Sequence, residues 1–177
     1  MTSSRETRAR LLDVARRQAG YFTAAQAVDV GYSHQAQWYH RERGHWAVAA
    51  RGVFRDAAQP PSPHEDLVLA WLWAGDDAVV SHVSAGRVHG LRPVPARPAH
   101  VTGGRRRTRS NPDVVLHIGS VGAEDRQDGG GFPVTTPMRT LSDLRPWRPW
   151  VFRTWLPQAV DRGLLTREQA SALRAGA

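Results

Sequence analysis

The first thirty residues carry two patterns that predict helices. Over residues 5–19 apolar side chains recur at helical spacing among arginines, which is typical of an amphipathic helix. The apolar positions are Leu11, Leu12, Ala15 and Ala19. Thr23 and Gln26 then have the spacing of a capping box, with Phe22 placed as a hydrophobic staple. This predicts a second helix over residues 24–30.

The next segment predicts a third helix that is unusually polar. Ser33 is a good N-cap, and the helix is expected to run to about Arg43 before a glycine. Ala36 and Tyr39 are its only obvious inward residues. The other side chains are His34, Gln35, Gln37, Trp38, His40, Arg41 and Arg43. Such a helix is either a solvated surface element or one that faces a polar partner, such as the major groove of DNA.

Two short strands are predicted after this helix, over residues 46–48 and 53–55, around a turn at residues 49–52. Trp46 and Phe54 are expected to be buried under this hairpin, and Arg51 to lie near its tip. Helix, tight glycine turn and helix are typical of a helix-turn-helix, and the hairpin would be its wing. We therefore predict a winged helix-turn-helix DNA-binding domain over residues 1–58.

The remainder predicts a second domain of mixed α/β structure over residues 64–177, so that the fold class of the whole chain is α+β. The proline-rich stretch Gln59–Pro63 is stiff and extended, and we place the boundary there. Helices are expected over residues 65–73, 78–89, 140–144 and 158–174, the last broken at Gly163 and restarted by a capping box of Thr166 and Gln169. Strands are expected over residues 99–102, 114–118 and 132–135.

Charge adds a candidate partner to this picture. All 24 basic residues are arginine, and the formal net charge is +8. A GC-rich genome explains an arginine bias equally well, but the distribution is informative. Residues 1–57 carry nine arginines against five acidic residues, whereas residues 111–177 carry eight against seven. Clustered guanidinium groups favour an anionic partner such as nucleic acid.

A second basic segment contains Arg105, Arg106, Arg107 and Arg109. It is either a solvated loop or a set of phosphate contacts, since several guanidinium groups on one loop would neutralise several phosphates.

Composition also excludes several classes of protein. The chain has no cysteine, so it has neither disulfides nor a thiolate metal site. We find neither a signal peptide nor a membrane-spanning stretch, and expect a cytoplasmic protein with no membrane partner. The eight histidines lack zinc-site spacing, and Asp143, Asp161 and Glu168 form no nuclease-like cluster. We predict no catalytic residue, metal or cofactor.

The sequence resembles the AbiEi-type antitoxins of type IV toxin-antitoxin systems, and its arginine-rich composition looks actinobacterial. The resemblance in the first domain lies in residues 22–27, 31–33, 37, 39–40, 44, 46 and 51–55, and in the second in residues 81–91, 100–102, 133–144 and 163–166. Many relatives continue into an endonuclease-like domain, which we expect this chain, ending at Ala177, to lack.

The resemblance implies a transcriptional repressor that autoregulates its operon and whose second domain counters a nucleotidyltransferase-like toxin. The expected partner is double-stranded DNA of its own promoter, bound as a homodimer on inverted repeats. The expected DNA-binding residues are Ser33, His34, Gln35, Gln37, Trp38, Arg41, Arg51, Arg105, Arg106 and Arg107. Two alternatives stay open: an orphan winged-helix regulator without a toxin, and an enzyme that modifies such a toxin.

Overall fold

The protein has a mixed α/β structure with eight helices and two sheets among the described residues. The computed structural model describes residues 4–93, 97–105 and 110–176. These residues divide into two compact units. The first comprises the chain up to Leu72 together with Gly130–Phe132, and the second comprises Trp73–Gly129 and the chain from Pro133 onward. Within the described ranges, no helix has the length and apolar composition needed to cross a bilayer.

The first unit contains three helices, most of a fourth that is described with the second unit, and a three-stranded antiparallel sheet. In chain order these are α1 (Ser4–Arg16), β1 (Tyr21–Thr23), α2 (Ala24–Asp29), α3 (His34–Glu42), β2 (Trp46–Ala50) and β3 (Val53–Asp56). The strands lie in the order β1-β3-β2. All three predicted helices and both hairpin strands are present, whereas β1 was not predicted. Helix α1 ends at Arg16, earlier than expected, and the following turn gives Ala19 a left-handed φ of 52°.

A small aromatic core holds these elements together. Phe22, Trp46 and Phe54 are buried, and the rings of Phe22 and Trp46 meet edge to face with centroids 4.8 Å apart. Leu11 and Ala15 of α1 complete this core from the helical side. Each fully buried side chain of this size contributes about 1.5–3 kcal/mol through removal of apolar surface from water. The predicted burial of Trp46 and Phe54 is confirmed.

Local capping interactions set where α2 and α3 begin. The Thr23 hydroxyl accepts a hydrogen bond from the Gln26 amide, and the Gln26 side chain accepts one from the Thr23 amide, which confirms the predicted capping box. The Ser33 hydroxyl accepts from the amide of Ala36 at 3.1 Å, as an N-cap does. Helix α3 therefore starts where the sequence predicts.

The proline-rich stretch lies within the first unit, and the division of the chain falls later, after Leu72. The Tyr21 hydroxyl accepts a hydrogen bond from the amide of Ser62 at 3.0 Å and lies 2.8 Å from a carboxylate oxygen of Glu65, to which it donates. These bonds fasten residues 62–65 to strand β1. A stiff Pro-rich segment acts as a linker only where it makes no bonds to a neighbouring element. The sequence alone does not show whether such bonds form.

The second unit is built on a five-stranded mixed sheet. Helix α4 (Glu65–Ala74) leads into β4 (Val79–Val80), α5 (His82–Val88), β5 (Ala99–Gly103), β6 (Val114–Ile118), β7 (Arg126–Asp128) and β8 (Pro133–Thr135). Helices α6 (Pro137–Trp147), α7 (Pro149–Asp161) and α8 (Arg167–Ala175) follow. The strand order is β6-β5-β4-β8-β7, with β5 parallel to β6 and β4 parallel to β8.

One predicted helix of this unit is wrong, and strand β7 and the first part of α7, which begins at Pro149, were not predicted. The helix expected over residues 78–89 is interrupted, because Val79 and Val80 form a strand paired with Thr102 and Val101. A fully buried strand of two apolar residues cannot be distinguished from helix by periodicity. The strand β7 was also missed, because Arg126–Asp128 is polar and exposed on the sheet edge.

Helices α5 to α8 enclose the main core of the second unit. Its centre is Trp155, which is buried against the backbone of Gly86 in α5. A Cβ atom at position 86 would overlap the Trp155 ring, so glycine is required there by space and not by backbone conformation.

Candidate nucleic-acid interface

The outer face of α3 presents three of the predicted DNA-binding side chains together. His34, Trp38 and Arg41 are separated by four and three residues, so they follow one another along a single face of the helix. All three are exposed, and Trp38 retains 57% of its accessible surface. The other flank of the helix is packed, so the exposed indole of Trp38 is a candidate contact for a partner.

The β2–β3 hairpin stands beside this face and forms a groove with it. The groove has a volume of about 450 Å³ and is lined by His34, Trp38 and Arg41 from α3 and by Val48 and Arg51 from the hairpin. Val48 is 58% exposed, and Arg51 lies in the turn between the two strands. The structure thus brings Arg51 together with the exposed face of α3, as expected from the sequence. We call this feature the α3 groove.

Arg41 is held in place within the α3 groove by an aromatic ring. Its Cζ atom lies 5.9 Å from the centroid of the Phe54 ring, within cation–π range. Phe54 is a core residue of β3, so the guanidinium is oriented by the sheet while its donors stay exposed. Such an arrangement leaves Arg41 able to donate to a phosphate or a base edge.

Gln37, predicted as a base-reading residue, also lines the α3 groove, but its side chain is buried and bonded to the backbone. Its side chain is 5% exposed, and its Nε2 donates to the carbonyl oxygen of Ala24 at 3.2 Å. Gln37 therefore fastens α3 to the start of α2. The sequence pattern did not predict that Gln37 is buried. A buried side-chain amide is stable wherever a backbone group forms a hydrogen bond with it.

Three other predicted residues of α3 and its cap have different environments. Ser33 is occupied as the N-cap, and Gln35 is exposed but does not line the α3 groove. Tyr39, expected to face inward, is 46% exposed and has the guanidinium of Arg43 5.4 Å from its ring centroid. The inward flank is formed instead by Gln37 and His40, which stacks on Trp46.

Of the predicted basic segment, the structure describes Arg105, in the second unit. Arg105 is exposed just after β5, and Gly104 before it donates its amide to Asp77 Oδ2 at 2.9 Å. Arg106, Arg107 and Arg109 lie outside the described residues.

The second unit also contains a histidine cluster that was not predicted from the sequence, formed by His82, His100 and His117. The rings of His82 and His117 stack with centroids 3.6 Å apart, and His100 Nδ1 lies 2.9 Å from His117 Nε2. Trp147 meets all three rings, at centroid distances of 5.1–5.3 Å. Ser81 Oγ lies 2.9 Å from His82 Nδ1 and accepts a bond from Thr102.

The environment of this cluster keeps its imidazoles neutral. Burial lowers the pKa of His82 to about 3, and the neighbouring His117 and His100 lower it as well. Burial likewise lowers the pKa of His100 to about 4, with further contributions from His117 and Arg148. Within the described ranges, no carboxylate compensates these shifts.

The cluster is not arranged as a metal site. Among the residues that the structure describes, no group of three or more His, Asp or Glu side chains could hold a metal ion. The planes of His82 and His117 are within 11° of parallel and stacked, so their in-plane lone pairs cannot converge on one ion. A signal for the cluster was present, since two predicted strands each carry a histidine, but only the parallel pairing of β5 and β6 brings them together.

The carboxylate of Asp143 is likewise committed to a structural contact. Arg139 Nε donates to Asp143 Oδ1 at 2.9 Å, and Arg139 Nη1 donates to Asp125 Oδ2 at 2.6 Å. The same guanidinium reaches the carbonyl oxygen of Ser120 at 3.2 Å. Arg139 thus ties α6 to the segment before β7.

Comparison with known proteins indicates the fold. No protein-family model matches the chain, and no curated protein matches its sequence. The structure is similar to the crystal structure of the RV2827C protein from Mycobacterium tuberculosis, with 15% sequence identity and a TM-score of 0.55. The match covers 96% of this chain and 71% of that one. At this identity the likeness shows that the two chains share a mixed α/β fold.

Proposed function

We propose that this protein is a sequence-specific DNA-binding transcriptional repressor whose first unit is a winged helix-turn-helix. In this proposal α3 is the recognition helix and the β2–β3 hairpin is the wing. The order of elements in residues 4–56 supports it, since two helices joined by a glycine turn precede an antiparallel hairpin.

The α3 groove is the observation that carries the proposal. It combines two exposed guanidinium groups, Arg41 and Arg51, with an exposed indole and an imidazole. A recognition helix needs side chains that reach base edges, and a wing needs a cation that reaches the backbone or the minor groove. The groove supplies both kinds of group on adjoining elements.

Each side chain then has a distinct role in the proposed complex. Arg41 donates to guanine in the major groove, and His34 donates to a base or phosphate near the N-terminus of α3. Trp38 and Val48 offer apolar surface to a thymine methyl group, and Arg51 contacts a phosphate. Gln37 and Ser33 position α3 without touching DNA.

The biological setting of the proposal rests on the resemblance to AbiEi-type antitoxins. The repressor would bind inverted repeats in its own promoter as a homodimer, and the second unit would counter a nucleotidyltransferase-like toxin. Co-expression of the chain with the adjacent gene tests this setting. Relief of toxicity supports the antitoxin role, and a neighbour that encodes no such protein favours an orphan regulator.

Fluorescence anisotropy with duplex DNA from the upstream promoter tests DNA binding itself. Arg41→Ala is expected to weaken promoter binding by about tenfold or more while affinity for a scrambled duplex changes little, because a base contact contributes about 1–3 kcal/mol. Arg51→Ala is expected to weaken both duplexes equally and to reduce the salt slope by about one. Arg16→Ala serves as the matched control, since Arg16 is an exposed arginine of α1 paired with Asp13.

Three outcomes would contradict the proposal. They are equal affinity for promoter and scrambled duplexes, an Arg16→Ala loss as large as that of Arg41→Ala, and tighter binding of single strands than of duplex. The last would make Trp38 a stacking platform for unpaired bases.

A further inference from the structure

A second cavity in the first unit lies on the side of α3 away from the α3 groove. It has a volume of about 410 Å³ and is bounded on one side by the face of α1 that carries Arg8, Leu11, Leu12 and Ala15. We call it the α1 cavity. His40 lines it and lies about 100° around α3 from Arg41 and about 160° from Trp38. The two cavities therefore open on different flanks of the same helix.

The walls of the α1 cavity are suited to a flat apolar molecule. Phe22 and Trp46 line it together with the leucines of α1. The rings of Tyr32 and His40 lie against Trp46, with centroids 5.1 Å and 4.9 Å away. Small-molecule sites are concave, mostly apolar and rich in aromatic side chains, with volumes of about 300–1,000 Å³. The α1 cavity falls at the lower end of that range.

An unpaired cation, Arg8, lines the α1 cavity. Arg8 is exposed, lines the cavity, and makes no hydrogen bond or ion pair with any residue in the described part of the chain. Its guanidinium is close enough to favour the charged form of Tyr32 and to disfavour that of His40. Arg10 and Arg16 of the same helix differ, since Arg10 pairs with Glu6 at 2.6 Å and Arg16 with Asp13 at 3.2 Å.

Arg8 supplies the guanidinium group of the cavity wall. Burial lowers the pKa of His40, and the neighbouring His45 and Arg8 lower it as well, so that imidazole is neutral at pH 7. Asp56 is the acidic residue of the wall, and its Oδ1 already accepts a hydrogen bond from the amide of Ala58 at 2.9 Å. An anionic group on a ligand would therefore be directed toward Arg8.

We propose that the α1 cavity binds a small aromatic carboxylate, with the ring against Trp46 and Leu12 and the carboxylate paired with Arg8. The site is separate from the α3 groove, and its occupancy does not depend on the proposed DNA binding.

Titration of the whole protein with 1-naphthoate, followed by NMR, tests this site. We expect the signals of Trp46, Leu12 and Ala15 to shift with saturation, while the exposed indole of Trp150 in the second unit stays unchanged. The uncharged analogue 1-naphthalenemethanol provides the matched ligand. We expect it to bind at least tenfold more weakly, because it retains the ring but cannot pair with a guanidinium.

Three variants separate the parts of the site. Arg8→Gln is expected to weaken 1-naphthoate about tenfold and to leave 1-naphthalenemethanol unchanged, whereas Arg10→Gln on the same helix leaves both unchanged. Leu12→Phe places additional atoms in the cavity and is expected to weaken both ligands.

The proposal is overturned if the two ligands bind Arg8→Gln and the unaltered protein with the same ratio of affinities. It is also overturned if Arg10→Gln acts like Arg8→Gln, or if the signals that shift belong to residues outside the cavity. Absence of any shift at millimolar 1-naphthoate overturns it as well, and none of these results bears on promoter binding.

Discussion

The imidazole of His40 stacks on the indole of Trp46, with ring centroids 4.9 Å apart and planes 12° from parallel. The contact joins the last turn of α3 to the first residue of β2, so it fixes the helix against the sheet. The side chain of His40 is half-buried, and its Nδ1 lies 3.1 Å from His45 Nδ1.

Removal of this stack should destabilise the first unit. His40→Ala is expected to lower the free energy of unfolding by about 1–2 kcal/mol, since an aromatic pair contributes about 0.5–1.5 kcal/mol beyond its buried area. His40→Phe keeps a ring on Trp46 and should recover most of the loss. Urea unfolding followed by tryptophan fluorescence measures both, and equal destabilisation by the two variants would show that the stack is not the cause.

Arg41 should matter little for stability, in contrast to its proposed role in binding. Arg41→Ala is expected to change the free energy of unfolding by no more than about 1 kcal/mol, because an exposed cation–π contact contributes about 0.5–1 kcal/mol. The same urea experiment measures it. A loss above about 2 kcal/mol would mean that weaker DNA binding by this variant reflects a damaged fold.

A side chain at position 86 should lower the stability of the second unit. In Gly86→Ala the new methyl group meets the ring of Trp155, which is 1% exposed and enclosed by the core of α5 to α8. We expect a loss of about 1–3 kcal/mol from overpacking, measured by thermal unfolding. Gly119→Ala is the control, because its methyl group would make only an ordinary contact with Thr102 at 3.6 Å. Comparable losses at both positions would argue against this packing explanation.

The histidine cluster should make the second unit sensitive to acid. Above about pH 6.5 these imidazoles are neutral in both folded and unfolded chains. Between about pH 6.5 and 4 the unfolded chain takes up protons, whereas the folded-state pKa of His82 is about 3 and that of His100 about 4. The stability that depends on these groups is therefore complete above about pH 6.5 and is lost as the pH falls.

His82→Asn tests this dependence on one residue. His82 has a φ of 51°, which Asn adopts more readily than most residues, so the backbone should be preserved. Urea unfolding over a range from about pH 7 to about pH 4 should show a shallower loss of stability in the variant, by up to one proton. An unaltered pH dependence would contradict the assignment of the acid sensitivity to His82.

The sequence by itself determined the local elements of the first unit. The capping box of Thr23 and Gln26, the N-cap Ser33 and the two hairpin strands depend on side chains a few residues apart, and the structure has all of them where they were predicted. The pattern also predicted that Arg51 lies near the exposed face of α3, because the hairpin directly follows the helix in the chain.

Only the tertiary structure decided which polar residues face the solvent and which are buried. Gln37 turns inward because Ala24, thirteen residues earlier, offers it a carbonyl oxygen, and Tyr39 turns outward because His40 occupies the space beside Trp46. The histidine cluster depends on the pairing of β5 with β6, and the α1 cavity on the distance between α1 and β2. These contacts join residues far apart in sequence, and no local spacing encodes the partner that satisfies a buried polar group.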